Sequence, residues 1–458
     1  MERPIISVSG LRGIVGRTLD PVLAVEYAAA FASQLEPGPV VITHDGRPSG
    51  DLLTQAIASS LLAMGRDVFQ GGIAATPTTG ILVREQQATG GIQISASHNP
   101  PEYNGIKCFG PEGRVLTAAA GEQVLAAFEA KSWQWKPFDQ LGKCERLEHP
   151  HQAHLEKILH VIDLEAIRAA GFKVVLDANH GSGSQLGIPL LEALGCELFV
   201  LGKEPHGSFA HRPEPTATNL AGILPLVAKY QADVGFCQDP DADRLALIDE
   251  TGHYLGEECT LALAVLHRLS QQQGPIVTNC STSRMSALLA KDAGAPYFAS
   301  KVGEANVSDV MIAEEAVLGG EGNGGVIDPR IGFVRDSFIG MALILEMMAK
   351  RNEKLSVIAQ TLPSLTMQKG TVPVPREQLA SALQSIQASF ENDPADERPL
   401  ISLLDGLRLD WPTDWFLIRP SNTEPIVRLM VEAPSAEEAE QRYQMIENLL
   451  LQAIASPS

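Results

Sequence analysis

Short apolar runs rich in β-branched residues alternate along the chain with longer stretches whose apolar positions return every three to four residues. Val40-Val41-Ile42-Thr43 is one such run. The stretches around it, 21–36 and 51–64, carry helical spacing; in the first, Leu23, Val25, Ala28, Phe31, Ala32 and Leu35 fall at helical intervals behind Pro21. Gly90-Gly91-Ile92-Gln93-Ile94 predicts another strand and 117–130 another helix. The rhythm returns with strands at 173–177, 198–201 and 233–236 and a helix at 221–230. A helix at 261–269, a strand at 275–278 and a long helix at 337–351 follow. Apolar strands alternating with helices predict parallel-rich α/β sheets covered on both faces.

From about 368 the pattern changes. A helix at 376–391 precedes short strands at 400–403, 407–409, 415–418 and 426–431, and a helix at 435–454 ends the chain. Consecutive strands flanked by helices predict a small α+β domain with an antiparallel sheet. A polar stretch at 132–152, with tryptophans and histidines, marks the first boundary. At 458 residues the chain exceeds one ordinary domain. It divides by these signals into 1–150, 151–255, 256–367 and 368–458.

Composition narrows the function. Hydrophobic residues make up 45% of the chain, enough for buried cores, yet no run of 18 apolar residues exists to span a membrane. Met1-Glu2-Arg3-Pro4 lacks the apolar segment of a signal peptide, and the six cysteines are scattered without a C-x-x-C pair. A cytoplasmic enzyme with reduced thiols is expected. A net charge of −20 argues against a nucleic-acid partner. In so acidic a chain, cations gathered inside glycine-rich loops become informative.

Ser95-Ala96-Ser97-His98-Asn99-Pro100-Pro101-Glu102-Tyr103-Asn104-Gly105-Ile106-Lys107 is the first such segment. Its prolines forbid helix and predict a stiff loop after a strand. The loop offers a hydroxyl (Ser97), an imidazole (His98) and an ammonium (Lys107), the groups covalent phosphoryl chemistry uses. Near the N-terminus, Gly10, Gly13 and Gly16 surround Arg12, an anion-binding composition. Gln238-Asp239-Pro240-Asp241-Ala242-Asp243-Arg244 places carboxylates at every second position, where they can converge on one hard cation such as Mg²⁺. An EF-hand is rejected, because its sixth position holds Arg244 rather than glycine. A dinucleotide fingerprint at Gly181-x-Gly183 fails because position 186 is Leu. Arg419-Pro420-Ser421-Asn422-Thr423-Glu424-Pro425, with Arg428 behind it, combines hydroxyls, amides and arginines in the manner of a phosphate clamp.

Together these segments resemble, in order, the motifs of the α-D-phosphohexomutases: S-G-x-R-G, the S/T-A-S-H-N-P phosphoserine loop with N-G-I/F-K, D-G-D-A-D-R, G-E-x-S-G and R-x-S-G-T-E-P. Here Pro240, Asn323 and Asn422 depart from the family's Gly, Ser and Gly. The combination of Gly-Glu-Gly-Asn-Gly-Gly with the Ser-His-Asn-Pro-Pro-Glu-Tyr-Asn-Gly run looks most like the archaeal-type phosphoglucosamine mutase branch. The resemblance implies three α/β domains with mixed sheets plus a C-terminal α+β domain with an antiparallel sheet, around a central cleft. It implies that Ser97 carries the transferable phosphoryl group and, with Asp239, Asp241 and Asp243, binds Mg²⁺. Arg12, Lys107, His98 and Arg244 would be catalytic. Lys301, Glu321, Asn323, Arg419, Ser421, Asn422, Thr423 and Arg428 would bind the substrate. The implied activity interconverts hexose 6-phosphate and hexose 1-phosphate through a hexose 1,6-bisphosphate. Glucosamine phosphate is the first choice of sugar, glucose or mannose phosphate the alternative, and a sugar-phosphate phosphatase the rival reading. A small phosphosugar is the expected partner, and the chain a monomer or homodimer.

Overall fold

The computed structural model describes residues 4–8, 10–391, 398–421 and 426–455. Strands fall into sheets that follow one another along the chain. The first sheet uses β1 (Ile5–Ser7), β2 (Gly10–Ile14), β3 (Val40–His44), β4 (Val68–Ile73), β5 (Gly90–Ile94), β6 (Tyr103–Phe109) and β7 (Cys144–Arg146), in the order β1-β2-β6-β5-β3-β4-β7. The strands β5, β3, β4 and β7 run parallel, whereas β6, β2 and β1 join by antiparallel pairings. All five residues of β3 are buried, as a continuous apolar run between two helical layers requires.

The second sheet contains β8 (Lys173–Asp177), β9 (Glu197–Leu201), β10 (Val234–Gln238) and β11 (Leu245–Asp249) in the order β11-β10-β8-β9. The third contains β12 (Ile276–Asn279), β13 (Tyr297–Ser300), β14 (Leu318–Glu321) and β15 (Gly325–Ile327) in the order β13-β12-β14-β15. Both have a parallel trio and one antiparallel edge strand reached by a hairpin. The last sheet is wholly antiparallel: β16 (Thr366–Pro373), β17 (Leu400–Ser402), β18 (Leu407–Asp410), β19 (Trp415–Pro420) and β20 (Ile426–Ala433), ordered β16-β20-β19-β18-β17.

A helix, Ser337–Arg351, forms the axis of the largest core. Asp336 caps it by accepting from the amides of Phe338 and Ile339, and Asn352 ends it in the left-handed conformation. Phe338, Leu343, Ile344 and Met347 pack there with Leu190 and Phe236 of the second unit and Leu261 and Leu318 of the third. His154 joins the first three units: its Nδ1 lies 3.0 Å from Thr78 Oγ1 and its Nε2 2.8 Å from Asp336 Oδ2. Among the described residues, no helix is long and apolar enough to cross a membrane.

The differences from the pattern reading have physical causes. Ala75-Thr76-Pro77-Thr78-Thr79, which resembles the family's T-P segment and reads as a turn, instead opens the helix Thr76–Glu85; Pro77 lies in its first turn, where no hydrogen bond is lost. The loop expected over 95–107 ends at 102, because 103–109 form β6 between β5 and β2. The helix expected over 221–230 is reduced to Leu224–Lys229. Strand β16 pairs along its whole length with β20 although Pro373 lacks a donor, since it is an edge strand with the proline at its end.

Candidate active site

The chemistry-bearing segments occupy one topological position. In the first three sheets the turn from a parallel strand into its antiparallel neighbour carries the candidate residues. Ser97 follows β5, the carboxylates follow β10, and Glu321 ends β14. In the last sheet the β19–β20 turn carries Ser421. Asn422 and Thr423 lie outside the described residues.

Ser97 is buried and has φ of 48°, a left-handed backbone unusual for serine. Its amide donates to Ser95 Oγ at 2.9 Å, and its Oγ donates to Asp239 Oδ2 at 2.8 Å. His98 Nδ1 lies 3.3 Å from the same Oγ. Burial, with the nearby Arg244 and Arg12, lowers the His98 pKa to about 2, so its imidazole is neutral at physiological pH.

Asp239, Asp241 and Asp243 are fully buried, and one carboxylate oxygen from each lies within 4.8 Å of the others. The left-handed Ala242, φ 53°, bends the chain so that the side chains converge. Ser182 donates to the Pro240 carbonyl from both its amide, at 2.8 Å, and its hydroxyl, at 2.9 Å. A Cβ at Gly181 would come within 2.5 Å of that carbonyl oxygen, so this glycine makes room for the acidic turn rather than for a dinucleotide.

Cations hold the carboxylates. Lys107 Nζ, on β6, lies 2.5 Å from Asp241 Oδ2 and 3.2 Å from Asp243 Oδ2, and Thr76 Oγ1 donates to Asp241 Oδ2 at 2.5 Å. Burial opposes charge on Lys107, but Asp241 and Asp243 outweigh it and raise its pKa. Asp241 is likewise opposed by burial and held below the usual carboxylate range chiefly by Lys107. Asp239, without a cation in hydrogen-bonding contact, is pushed up by burial and by its two acidic neighbours. Asp241 Oδ1 and Asp243 Oδ1 are buried without a hydrogen-bond partner. Orphaned hard oxygens beside a serine hydroxyl fit a divalent cation such as Mg²⁺.

Arg335, with Asp336, precedes the helix at 337–351 and resembles the family's R/K-D-G, with Ser337 in place of the glycine. It donates to Asp243 Oδ2 at 2.7 Å, Glu304 Oε2 at 2.8 Å and Glu321 Oε2 at 2.8 Å. It thereby ties the acidic turn to the third unit. No spacing signal marks it; its three partners meet only in the fold. Glu321 Oε1 also accepts from Asn279 Nδ2 at 2.7 Å and the Gly303 amide at 3.0 Å. Asn323 Oδ1 is buried without a partner. Arg12, on β2, donates to Asn99 Oδ1 at 2.7 Å, and Arg244 Nη1 lies 3.5 Å from Glu214.

Lys301 is exposed. Arg419 Nε pairs with Asp405 Oδ2 at 2.6 Å, and that oxygen also accepts from the Val302 amide at 3.0 Å. Arg428 is exposed on β20 opposite Arg419, and the Ser421 amide donates to the Ile426 carbonyl at 2.9 Å. The direct contacts thus join Ser97, Lys107 and the carboxylates, with Arg335 extending them to Glu321. Arg419, Ser421 and Arg428 stand on the fourth unit.

The chain matches the family models described as phosphoglucomutase/phosphomannomutase alpha/beta/alpha domain I over residues 3–135, domain II over 152–252 and domain III over 257–365, and the C-terminal domain over 372–449. It is 31% identical over 451 residues to a probable phosphoglucosamine mutase of Pyrococcus abyssi, covering 98% of each chain. It is 34% identical over 453 residues to a phosphoglucomutase/phosphomannomutase of Thermococcus kodakarensis, covering 97% of this chain and 98% of the relative. A crystal structure of a phosphoglucomutase/phosphomannomutase family protein from Burkholderia thailandensis superposes with a TM-score of 0.85 at 26% identity, over 99% of each chain. With the four family segments in order and relatives matched end to end, the chain belongs to the phosphoglucomutase/phosphomannomutase family and is a phosphohexomutase, an isomerase of the phosphotransferase kind.

Proposed function

We propose that this phosphohexomutase interconverts hexose 6-phosphate and hexose 1-phosphate through phosphorylated Ser97 and a hexose 1,6-bisphosphate, with glucosamine phosphate its preferred sugar. One observation carries the reading: Ser97 Oγ lies 2.8 Å from the buried carboxylate of Asp239, in a trio where Asp241 and Asp243 each keep an orphaned oxygen. The preference for glucosamine is supported by the names of the archaeal relatives at 31–33% identity; the relative named phosphoglucomutase/phosphomannomutase, at 34%, keeps glucose and mannose as the alternative.

In the forward half, the bond between Ser97 Oγ and phosphorus breaks as a sugar hydroxyl oxygen bonds to phosphorus. The hydroxyl proton ends on Ser97 Oγ. The bisphosphate turns over, its other phosphoryl group returns to Ser97, and the hexose leaves with its phosphate moved. Asp239, Asp241 and Asp243, with the oxygen on Ser97, would hold Mg²⁺, which offsets the charge on the transferred group when bound.

Lys107 stays protonated because its neighbours raise its pKa, so it stabilises negative charge rather than taking the hydroxyl proton. Neutral His98 packs beside the oxygen without adding positive charge. Arg12 and Arg244 position and neutralise the moving phosphoryl group. Glu321 and Asn323 face the sugar in this reading. Arg419, Ser421, Asn422, Thr423 and Arg428, with Lys301, hold the phosphate that does not react.

The test follows glucosamine, glucose and mannose 1-phosphates, each primed with glucose 1,6-bisphosphate. A mutase yields the 6-phosphate, with kcat/KM highest on glucosamine phosphate. Release of free phosphate instead would establish the phosphatase. Ser97→Ala abolishes both turnover and the mass gain of one phosphoryl group on the intact protein; retained turnover would remove Ser97 from the mechanism.

A further inference from the structure

Arg47 lies on the loop after β3, outside the catalytic set, and its side chain is wholly buried against Asp45. Its guanidinium uses every donor it has. Nε donates to Asp45 Oδ2 at 2.9 Å; Nη1 donates to the carbonyls of Pro100 at 2.6 Å and Tyr103 at 3.0 Å; Nη2 donates to those of Ser97 at 2.6 Å and Asn99 at 2.8 Å. A planar fork of five N–H groups meets five acceptors, four of them backbone carbonyls of the serine loop and of Tyr103 at the start of β6.

The other side of Ser97 is tied to the same ion pair. Its amide donates to Ser95 Oγ, which donates to Asp45 Oδ2 at 2.7 Å. The N–H and C=O of Ser97 therefore both end on the Asp45–Arg47 pair. That is what a serine with φ of 48° requires, because the left-handed backbone does not hold itself in an L residue. The second unit closes the arrangement from above. Phe209 stacks its ring 4.9 Å from the guanidinium carbon, and Gly207 approaches so closely that a Cβ there would come within 2.5 Å of Arg47 Cα.

We infer that Arg47, backed by Asp45, is a positioning residue that sets the direction of the Ser97 oxygen toward the carboxylate trio. The inference rests on Ser97 being the phosphoryl carrier. A lysine cannot replace the arginine: three donors on a tetrahedral nitrogen cannot serve four carbonyls and a carboxylate in one plane.

The experiment compares Arg47→Lys, Ser95→Ala and Ser97→Ala in the full chain, with thermal unfolding alongside hexose 1-phosphate kinetics. For folded Arg47→Lys we expect kcat to fall about a hundredfold, the cost of displacing a reacting atom by about 1 Å, with KM within about threefold of wild type. Ser95→Ala, which cuts the link from the Ser97 amide to Asp45 and leaves every Arg47 donor in place, is expected to lower kcat about tenfold at unchanged KM, and it decides the matter if Arg47→Lys does not fold. Wild-type kcat in a folded Arg47→Lys protein, or in Ser95→Ala when Arg47→Lys fails to fold, overturns the positioning role provided Ser97→Ala is inactive. Turnover by Ser97→Ala instead overturns the carrier reading itself.

Discussion

Arg335 concentrates the electrostatic problem of the site in one residue. Asp243, Glu304 and Glu321 all direct an oxygen at its guanidinium, and its side chain is only 12% exposed. Removing one member of a buried charge network leaves the others desolvated and unpaired, at a cost of about 3–5 kcal/mol. Arg335→Met should therefore lower the free energy of unfolding by that amount in a urea titration; a loss below about 1 kcal/mol would mean that water, not the guanidinium, neutralises these carboxylates. The acidic trio permits a sharper measurement. Asp241→Asn removes charge from the oxygen set without changing its size, so Mn²⁺ binding followed by electron paramagnetic resonance should weaken by at least about tenfold. Unaltered binding would place the ion elsewhere. These residues also divide by how visible they were in the sequence. Asp239, Asp241 and Asp243 were legible because their spacing is itself the signal. Arg335, Thr76 and Arg47 stand in segments that resemble family motifs, but their contacts were not legible, because Arg335 and Thr76 acquire their partners, and Arg47 four of its five, from segments distant in sequence.

At the scale of elements, the strands buried on both faces announced themselves by their β-branched runs. The strand 173–177 and the helices 337–351 and 376–391 lie where the apolar pattern put them. Strand β6 was hidden by its polar residues: Lys107 serves the site, and with Asn104 and Gly105 it breaks the apolar alternation of a strand packed between two others. The helix Glu257–Gln271 and the axial helix share a polar contact inside the core. His267 Nε2 lies 2.8 Å from Glu346 Oε2, Gln271 Nε2 donates to that oxygen at 3.0 Å, and Lys350 Nζ donates to Oε1 at 2.8 Å. Burial opposes ionisation of Glu346, but hydrogen bonds from His267, Lys350 and Gln271 outweigh it and lower its pKa from 4.5 to about 2. A depressed carboxyl pKa contributes stability that is complete above the unfolded value and is lost as pH falls toward the folded one. Acid unfolding of the wild type should therefore steepen between pH 4.5 and about 2. Glu346→Gln should flatten that limb relative to wild type while lowering stability at pH 7; parallel acid limbs would remove Glu346 from the acid response.

For the whole molecule, the sequence conveyed the succession of three α/β units and one α+β unit but not how they interlock, since the apolar core shared around the helix Ser337–Arg351 and the single polar residues between units meet only in the fold. Arg284 is the clearest of them. Its Nη1 donates to the carbonyls of Trp411 at 3.0 Å and Pro412 at 3.1 Å, and its Nη2 to Asp410 Oδ1 and the Asp414 carbonyl, both at 3.1 Å. Its amide donates at 3.0 Å to Glu432 Oε2, which also accepts from Trp415 Nε1 at 2.6 Å. A residue of the third unit thus holds the strands that lead to the β19–β20 turn, while Lys369, of the last sheet, adds a pair with Glu258 at 2.9 Å. Arg284→Ala leaves the amide bond in place and removes the guanidinium, so the fourth unit should loosen while the axial core stays intact. If the guanidinium contributes about 3 kcal/mol to that junction, amides of β18 and β19 should exchange about a hundredfold faster. Those of the helix Ser337–Arg351 should not change. Because the proposed clamp for the non-reacting phosphate sits on this unit, KM for the hexose phosphate should rise by a larger factor than kcat falls. Equal acceleration of exchange in both regions would mean that Arg284 stabilises the molecule as a single body. A pure loss of kcat would mean that the fourth unit acts on the transferred phosphoryl group instead of on the phosphate that stays behind.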